Sequence, residues 1–175
     1  MAVVCGGSLR PVGSVSGTVV ALTRYTKKGN PGEKIESALF LEGLGMEGDI
    51  YASGSAGKAG SAGKAGSAGK TNERQLSLLF LKDRQRLDAQ DEPGLCFHRY
   101  KENVLLDGIA SSAVAPGVRF AIGEAAIEIS AEIKHCFKEC PLFRQGQSCV
   151  LAGRHLFAKV VKTGMVKTGD CVRGD

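Results

Sequence analysis

Residues 118–133 read Val118-Arg-Phe-Ala-Ile-Gly-Glu-Ala-Ala-Ile-Glu-Ile-Ser-Ala-Glu-Ile133, and this stretch indicates the fold class. Apolar residues alternate with polar or small ones on both sides of Gly123-Glu124. That alternation is typical of two antiparallel strands joined by a tight turn, each strand burying one face. The stretch therefore predicts a β-hairpin.

Shorter runs of apolar and β-branched residues lie on both sides of this hairpin in the sequence. Their β-branched and apolar content predicts strands, because such side chains fit a pleated, half-buried surface. Residues 83–90 are polar and precede Pro93, which predicts a short helix. Residues 156–162 and 165–170 flank a turn at Thr163-Gly164 and predict a second hairpin. The remaining predicted strands are residues 16–23, 35–41, 74–81 and 103–106.

The number and spacing of these strands predict the architecture. Many short strands separated by turns are typical of an all-β barrel. The chain has 175 residues, enough to bury a substantial core, and we expect a single domain over residues 1–175. We therefore predict a mainly β fold, a closed or partly open β-barrel with a few short helices.

Composition narrows the class of protein further. No apolar run is long enough to span a bilayer, and the first residues do not have the pattern of a secretory signal. The six cysteines lie in a chain that is large enough to fold without disulfide bonds, so we expect reduced thiols and a cytoplasmic location. The net charge is +5, and it falls to +2 without Lys58, Lys64 and Lys70. Such a balance is ordinary, so we expect neither a nucleic-acid partner nor a membrane.

Residues 54–71 repeat the triplets Gly-Ser-Ala and Gly-Lys-Ala. A phosphate-binding loop requires a different glycine spacing before Lys-Thr, and a collagen helix requires abundant proline. Small residues bury too little surface to offset the entropy of ordering. The repeat therefore predicts a flexible, solvated insertion at about residues 53–71.

The densest reactive stretch is Lys134-His-Cys-Phe-Lys-Glu-Cys-Pro-Leu-Phe-Arg-Gln-Gly-Gln-Ser-Cys149. A cysteine acts as a nucleophile or soft-metal ligand only as a thiolate, which nearby cations favour. Lys134 and Lys138 flank Cys136, and Arg144 follows. If these side chains converge, we expect the pKa of Cys136 to be lowered and the site to attract an anionic ligand.

Other interpretations of the cysteines stay open. His135, Cys136, Cys140 and Cys149 could bind structural zinc, although their spacing is looser than paired zinc knuckles. Cys136 and Cys140 could instead form a disulfide or redox pair. Cys140 and Cys149 could also be small buried hydrophobes. The residues predicted to be chemically inert are Cys5, Cys96, Cys171, His98 and His155.

Taken in order, several of these segments resemble the MOSC family, the domain that closes molybdenum-cofactor sulfurases. The matching segments, which cover most of the chain, are Gly17-Thr-Val-Val-Ala21, Lys27-Lys-Gly29 with Lys34, Gly45-Met-Glu-Gly-Asp49, Arg74-Gln-Leu-Ser-Leu-Leu79, Glu102-Asn103, Gly108, Ile122-Gly123, the cysteine segment, and the run from Leu156 to Asp170. The likeness is to small stand-alone bacterial members. Such members often have a histidine where this chain has Tyr51 and another where it has Glu73, which leaves a changed ligand specificity open.

The resemblance implies a barrel like that of the pyruvate kinase β-domain, with a pocket for a pterin-type molybdenum cofactor or a sulfur-carrying ligand. The key cysteine of the family corresponds to Cys136, which could ligate molybdenum or hold a persulfide, since soft sulfur suits both. Cys140 is expected to assist catalysis, and Cys149 is a weaker candidate metal ligand. The residues expected to bind the cofactor are Lys28, Lys34, Asp49, Arg74, Gln75, Glu102, Asn103, Lys138 and Arg144.

The function expected from the resemblance is molybdenum-cofactor binding, sulfur carriage, or both, in metal–sulfur cofactor assembly. A protein that donates sulfur or accepts cofactor is the expected partner, since we expect no second domain for pyridoxal-phosphate desulfurase chemistry. The alternatives are a non-catalytic binding module, a small molybdenum-dependent reductase served by an external electron donor, and a structural zinc site.

Overall fold

The computed structural model describes residues 15–52, 73–90, 94–147 and 149–174. Cys5 and the predicted insertion at about residues 53–71 lie outside these ranges. Within them, no helix has both the length and the apolar character needed to cross a bilayer.

The described residues form eleven strands and three short α-helices. The strands are β1 Ser16–Arg24, β2 Glu33–Ile35, β3 Ser37–Leu41, β4 Gly45–Met46, β5 Leu76–Phe80, β6 Val104–Asp107, β7 Arg119–Ile122, β8 Ala125–Ile129, β9 Phe157–Lys162, β10 Gly164–Lys167 and β11 Cys171–Gly174. The helices are α1 Leu81–Asp88, α2 Cys96–Arg99 and α3 Pro141–Arg144, with a 3₁₀ turn at Ser111–Ala113.

Seven strands close into a mixed β-barrel in the order β11-β7-β8-β9-β5-β6-β1, and β1 pairs back to β11. The β5–β6 pair is parallel, and the other pairs of the ring are antiparallel. Strand β1 can serve two neighbours because its first residues pair with β11 and its later residues pair with β6, with an irregularity between Val19 and Ala21. The prediction of a mainly β barrel is confirmed.

The barrel interior is filled by the inward faces of the predicted strands. Phe120, Ile122, Ile127 and Ile129 of the β7–β8 hairpin are at most 2% exposed, as the alternation of residues 118–133 predicts. Burial of large apolar side chains of this kind is the main favourable contribution to folding.

The second predicted hairpin is wrong, although both of its strands exist. Strand β9 pairs with β5 and β8, whereas β10 pairs with β3 in a separate three-stranded sheet of order β10-β3-β4. A Cβ atom on Gly164 would lie 2.3 Å from the carbonyl carbon of Glu124. The chain therefore passes directly against the β7–β8 turn as it leaves the barrel, and only glycine permits that approach.

A long, largely irregular segment joins β8 to β9 and carries α3 and three of the six cysteines. Its two ends are held together, because the Lys134 N–H donates to the Arg154 carbonyl at 2.8 Å and the Gly153 N–H donates to the Lys134 carbonyl at 3.2 Å. This pairing fixes the base of the segment, which we call the cysteine loop (residues 130–156).

Candidate functional site

A basic cavity opens at the end of the barrel where β5, β6 and β9 begin. Its volume is about 290 Å³. Its lining carries positive charge from Arg74, Arg99 and Lys101. The other lining residues are Tyr51, Ser77, Tyr100, Asn103 and Phe157, which add aromatic faces and polar groups. Cations beside aromatic surfaces suit a flat ligand that carries negative charge.

Arg74 is positioned within this cavity by two contacts. Its guanidinium carbon lies 4.7 Å from the centre of the Phe157 ring, and its Nε donates a hydrogen bond to the Glu132 carboxylate. The neighbouring Glu73 lies against Lys159, with 3.5 Å between the ammonium and the carboxylate, and accepts a hydrogen bond from the Ser130 hydroxyl. The acidic charge that the sequence places beside the pocket is thus offset by a lysine of β9.

A buried hydrogen-bond network holds the floor of the cavity. The amide of Asn103 donates to Asp49 Oδ2 at 2.8 Å, and Asn103 Oδ1 accepts from the backbone N–H of Ser77 at 3.1 Å. The Ser77 hydroxyl donates to the Lys101 carbonyl. Asp49 also accepts the backbone N–H of Tyr51 at 2.8 Å. The network therefore orients Tyr51, Ser77 and Lys101, all of which line the cavity.

Arg99 connects this cavity to the cysteine loop. It lines the cavity, and its guanidinium carbon lies 5.3 Å from the centre of the Phe137 ring. The ammonium of Lys134 lies 4.6 Å from the same ring. In such cation–π contacts, the positive group is attracted to the electron-rich face of the aromatic ring. Since Phe137 follows Cys136 directly, this contact joins the cysteine loop to the cavity wall, although none of the four free cysteines that the structure describes lines the cavity.

The structure describes four free cysteines, Cys96, Cys136, Cys140 and Cys149, which we call the cysteine cluster, and the charge of Lys134 acts on three of them, Cys96, Cys136 and Cys149. Interaction with the Cys96 side chain is the main cause that lowers the pKa of Cys149 to about 6. Burial opposes this effect, while backbone groups of Leu151 and Ala152 and the charge of Lys134 reinforce it. Interaction with the Cys149 side chain, with burial, raises the pKa of Cys96 far above its usual range. At neutral pH the lowered pKa favours the thiolate at Cys149, and the raised pKa keeps Cys96 protonated.

Cys136 is half-buried, and its pKa is raised, not lowered as we predicted. Burial is the largest cause, and the negative charges of Cys149 and Cys140 add to it against the opposing effect of Lys134. For Cys140, burial would raise the pKa, but hydrogen bonds from backbone groups of Leu95, Phe143 and Leu142 outweigh burial and lower it. The lowered pKa that we predicted for Cys136 is found instead at Cys140 and Cys149.

The zinc alternative finds no support in this geometry. Among the described residues, which include His135 and the whole cysteine cluster, no three His, Cys, Asp or Glu side chains are placed to hold a metal ion.

The structure brings some of the predicted binding residues to the cavity and leaves others elsewhere. Arg74 and Asn103 line it, while Asp49 is buried beneath it. Gln75 is buried and accepts the Val160 N–H at 2.9 Å, and Lys34 donates to the Thr23 hydroxyl at 2.8 Å beside a different groove. Glu102 is half-buried, and its backbone carbonyl accepts the Tyr25 hydroxyl at 3.1 Å. The exposed residues that do not line the cavity are Lys28, Lys138 and Arg144.

Three residues in or near the site were not predicted from the sequence to have a functional role: Arg99, Lys101 and Cys96. Arg99 and Lys101 flank Tyr100 between α2 and β6, where no motif distinguishes them from ordinary surface cations. Cys96 was predicted to be inert because none of its neighbours in the sequence supports a chemical role. Only the fold places α2 against the cysteine loop.

Cys171, at the start of β11, is disulfide-bonded. This differs from the expectation that all cysteines stay reduced and that Cys171 is inert. The bond lies in the strand that closes the barrel against β1, away from the basic cavity.

Comparison with known proteins identifies the fold. No family model matches the chain, and no curated protein matches its sequence. Among solved structures, YuaD from Bacillus subtilis matches with a TM-score of 0.62 and 19% identity, over 92% of this chain and 96% of YuaD. YiiM from Escherichia coli has a TM-score of 0.55 and 18% identity, over 90% of this chain and 69% of that protein. YiiM from Geobacillus stearothermophilus has a TM-score of 0.55 and 11% identity, over 91% and 75%. These neighbours are MOSC-type proteins, so the chain has a MOSC-like fold.

Proposed function

We propose that this chain is a MOSC-type domain that carries sulfur on its cysteine cluster and binds an anionic cofactor of the pterin–molybdenum class in its basic cavity. One observation carries the proposal: Arg99 lines the cavity while it stacks on Phe137, the residue next to Cys136. The cationic cavity is therefore in contact with the loop that carries three of the free thiols. The fold of the YuaD and YiiM neighbours supports the family assignment.

The residues of the cavity fit the chemistry of such a cofactor. Arg74, Arg99 and Lys101 would hold its phosphate, since guanidinium and ammonium groups are the usual partners of phosphate oxygens. The rings of Tyr51 and Phe157 offer faces for a flat heterocycle. When bound, the cofactor would supply a metal with affinity for soft sulfur ligands. Ligation of that metal by Cys136 stays a prediction.

The thiol cluster fits sulfur carriage. Cys149 is half-buried and its pKa is lowered to about 6, so its thiolate can attack the outer sulfur of a donor persulfide and become a persulfide itself. The donor thiol leaves with the displaced electron pair. Lys134 then stabilises the negative charge on the carried sulfur.

The experiment measures both ligands on the purified protein. Protein exposed briefly to polysulfide and desalted is expected to carry about one cyanide-releasable sulfur per chain, and Cys149→Ser is expected to carry much less. Protein mixed with molybdenum cofactor released from a denatured molybdoenzyme is expected to retain molybdenum and pterin fluorescence, and Arg99→Ala is expected to lose both. Arg119→Gln removes a cation that pairs with Glu128 on the barrel wall outside the cavity and is the matched control. Retention of neither sulfur nor cofactor by the unaltered chain would overturn the proposal.

A further inference from the structure

The side chain of Asn103, which lines the basic cavity, is fully engaged by the protein. Its amide nitrogen donates to Asp49 Oδ2 at 2.8 Å and to the Thr23 carbonyl at 3.2 Å. Its Oδ1 accepts the Ser77 N–H at 3.1 Å and lies 2.9 Å from the Ser77 hydroxyl. A side-chain amide has two donor hydrogens and one acceptor oxygen. Both donors and the oxygen of Asn103 therefore have protein partners, and no donor is left for a ligand.

The hydroxyls of Ser77 and Tyr100 are engaged in the same way. The Ser77 hydroxyl donates to the Lys101 carbonyl and accepts the Asn103 N–H at 3.2 Å. Tyr100 is 8% exposed, and its hydroxyl donates to the Leu78 carbonyl at 2.7 Å. A hydroxyl has a single hydrogen to donate. These two side chains therefore support the cavity wall and have no donor left for a ligand.

The lining groups that remain for a ligand are cations and aromatic rings. Arg74, Arg99 and Lys101 carry only hydrogen-bond donors, because guanidinium and ammonium groups have no acceptor. Phe157 adds a ring, and Tyr51, which is 44% exposed, adds a ring and a hydroxyl. Within the described lining, that hydroxyl is the one neutral polar side-chain group without a protein partner. Such a lining suits an anionic group joined to a flat ring.

Two of the cations are held by rings and keep their charge available. The guanidinium carbon of Arg99 lies 5.3 Å from the centre of the Phe137 ring, and the ammonium of Lys101 lies 5.6 Å from the centre of the Tyr25 ring. Neither cation takes part in an ion pair with a carboxylate of the described residues. A ring face positions a cation without neutralising its charge. The cavity therefore keeps positive charge that an anion can neutralise.

We propose that the cavity binds the phosphate monoester of any single flat heterocycle, purine nucleoside monophosphates included, through the phosphate and the ring face. The hydrogen-bonding edge of the heterocycle is not recognised. The volume of about 290 Å³ is at the small end of the range of ligand sites, about 300–1,000 Å³, and suits one ring system with one phosphate. This inference rests on the proposed binding of an anionic pterin and names the wider class of ligand that the same site accepts.

The two kinds of contact predict different degrees of selectivity. A site that forms hydrogen bonds to a particular ligand group rejects an analogue without that group by about 10⁴–10⁵-fold. The neutral polar side chains of this cavity are mostly engaged elsewhere, so exchange of one ring edge for another should change the affinity little. Hydrogen bonds to a phosphate from charged donors are stronger than neutral ones, so loss of the phosphate should weaken binding at least about a hundredfold.

The test uses two nucleotides that differ in their ring edges. Guanosine monophosphate carries an amino group and an oxo group on its six-membered ring, as the pterin does, whereas adenosine monophosphate carries a single amino group at the oxo position. Each displaces the oxidised, phosphate-bearing pterin of the cofactor from the full chain at low salt, and pterin fluorescence measures the Kd. The two Kd values are expected to agree within tenfold. Guanosine and adenosine are expected to bind at least about a hundredfold more weakly.

Two variants test the two kinds of contact separately. Lys101→Gln removes a cation and keeps the backbone carbonyl that accepts the Ser77 hydroxyl, so it should weaken both nucleotides by the same factor, about tenfold. Tyr51→Phe keeps the ring and removes the hydroxyl, so it should change both Kd values by less than about threefold. Arg119→Gln, outside the cavity, is the control for a lost positive charge.

The outcomes separate this inference from the function on which it rests. If the phosphate-bearing pterin does not bind, the proposed cofactor binding itself fails. If the pterin binds but neither nucleotide displaces it, or the two nucleotides differ by tenfold or more, the ring edge is recognised and the inference is overturned. Nucleosides that bind as tightly as their monophosphates would also overturn it. Because these measurements use the unaltered chain, the test stands even if a variant folds poorly.

Discussion

Asp49 and Asn103 lie 54 residues apart in the chain, and the side-chain amide of Asn103 donates to Asp49 Oδ2 at 2.8 Å. Both side chains are buried, with 5% and 3% of their surface exposed. Sequence analysis placed both residues in contact with a cofactor. In the structure, Asp49 accepts three hydrogen bonds from the protein, from Asn103 and from the backbone N–H groups of Tyr25 and Tyr51. Asp49 therefore positions the cavity wall from beneath.

Asp49→Ala is expected to destabilise the fold. The substitution leaves the Tyr25 N–H and the Asn103 amide buried without their acceptor, and each unsatisfied group costs about 1–3 kcal/mol. We expect a loss of about 2–5 kcal/mol in the free energy of unfolding, measured by urea denaturation. Glu47→Ala removes an exposed carboxylate close by and should change this free energy by less than about 0.5 kcal/mol. Equal effects of the two substitutions would show that the buried network contributes little.

Gly45→Ala is expected to disturb the start of β4. Gly45 has a φ of +114°, and a Cβ atom there would lie 2.5 Å from the carbonyl oxygen of Gln75. Gly43 has a φ of +72° but no atom within 4 Å of the same position, so it is the matched control. Gly43→Ala should cost about 1–2 kcal/mol from backbone strain alone, and Gly45→Ala should cost clearly more. Thermal unfolding of both variants measures the difference, and similar melting temperatures would contradict the close approach.

The reactivity of Cys149 is expected to follow its lowered pKa. The thiolate is the reactive form, so alkylation of Cys149 should increase as pH rises through about 6 and level off above it. Alkylation of Cys136 should increase only at higher pH, because burial raises its pKa. Iodoacetamide labelling at a series of pH values, with each cysteine peptide quantified by mass spectrometry, measures both profiles. Faster labelling of Cys136 than of Cys149 at pH 7 would contradict this assignment.

Cys96→Ala should move the Cys149 profile to higher pH. Interaction with the Cys96 side chain is the largest cause of the lowered pKa, so without it the effect of burial, which raises the pKa of Cys149, is opposed less. The midpoint of Cys149 labelling should rise toward the usual range of a cysteine, which is about 8.5. Lys134→Met should produce a smaller rise, since Lys134 acts through its charge alone on Cys149. An unchanged midpoint in Cys96→Ala would show that Cys96 does not set the pKa of Cys149.

Arg99→Ala is expected to weaken binding of an anionic pterin. A hydrogen bond to a charged group contributes about 1.5–3 kcal/mol, so loss of the guanidinium should raise the Kd by about tenfold or more. The oxidised, phosphate-bearing pterin derived from the cofactor is a suitable fluorescent probe. Arg119→Gln, outside the cavity, should leave the Kd within about twofold, and the affinity should fall with added salt. An unchanged Kd in Arg99→Ala would show that the anion binds elsewhere on the protein.

The sequence by itself determined the strands and the fold class. Alternation in residues 118–133 and the short apolar runs around them depend on local periodicity, which is readable without coordinates. The resemblance also pointed to Arg74, Asn103 and the cysteine segment, each of which lies in or beside the site. The second hairpin was mispredicted because pairing of β10 with β3 depends on contacts between distant segments.

Only the tertiary structure decided which groups share the site. The influence of Cys96 on the pKa of Cys149, the position of Arg99 on Phe137 and the exposure of Lys28, Lys138 and Arg144 all depend on contacts or burial that a local sequence pattern does not show. A thiol pKa depends on desolvation and on neighbours within a few ångströms, and those neighbours come from separate elements. For that reason the lowering effect of Lys134 on the pKa of Cys136 is outweighed by burial and by the charge of Cys149, and it is the pKa of Cys149 that is lowered to about 6.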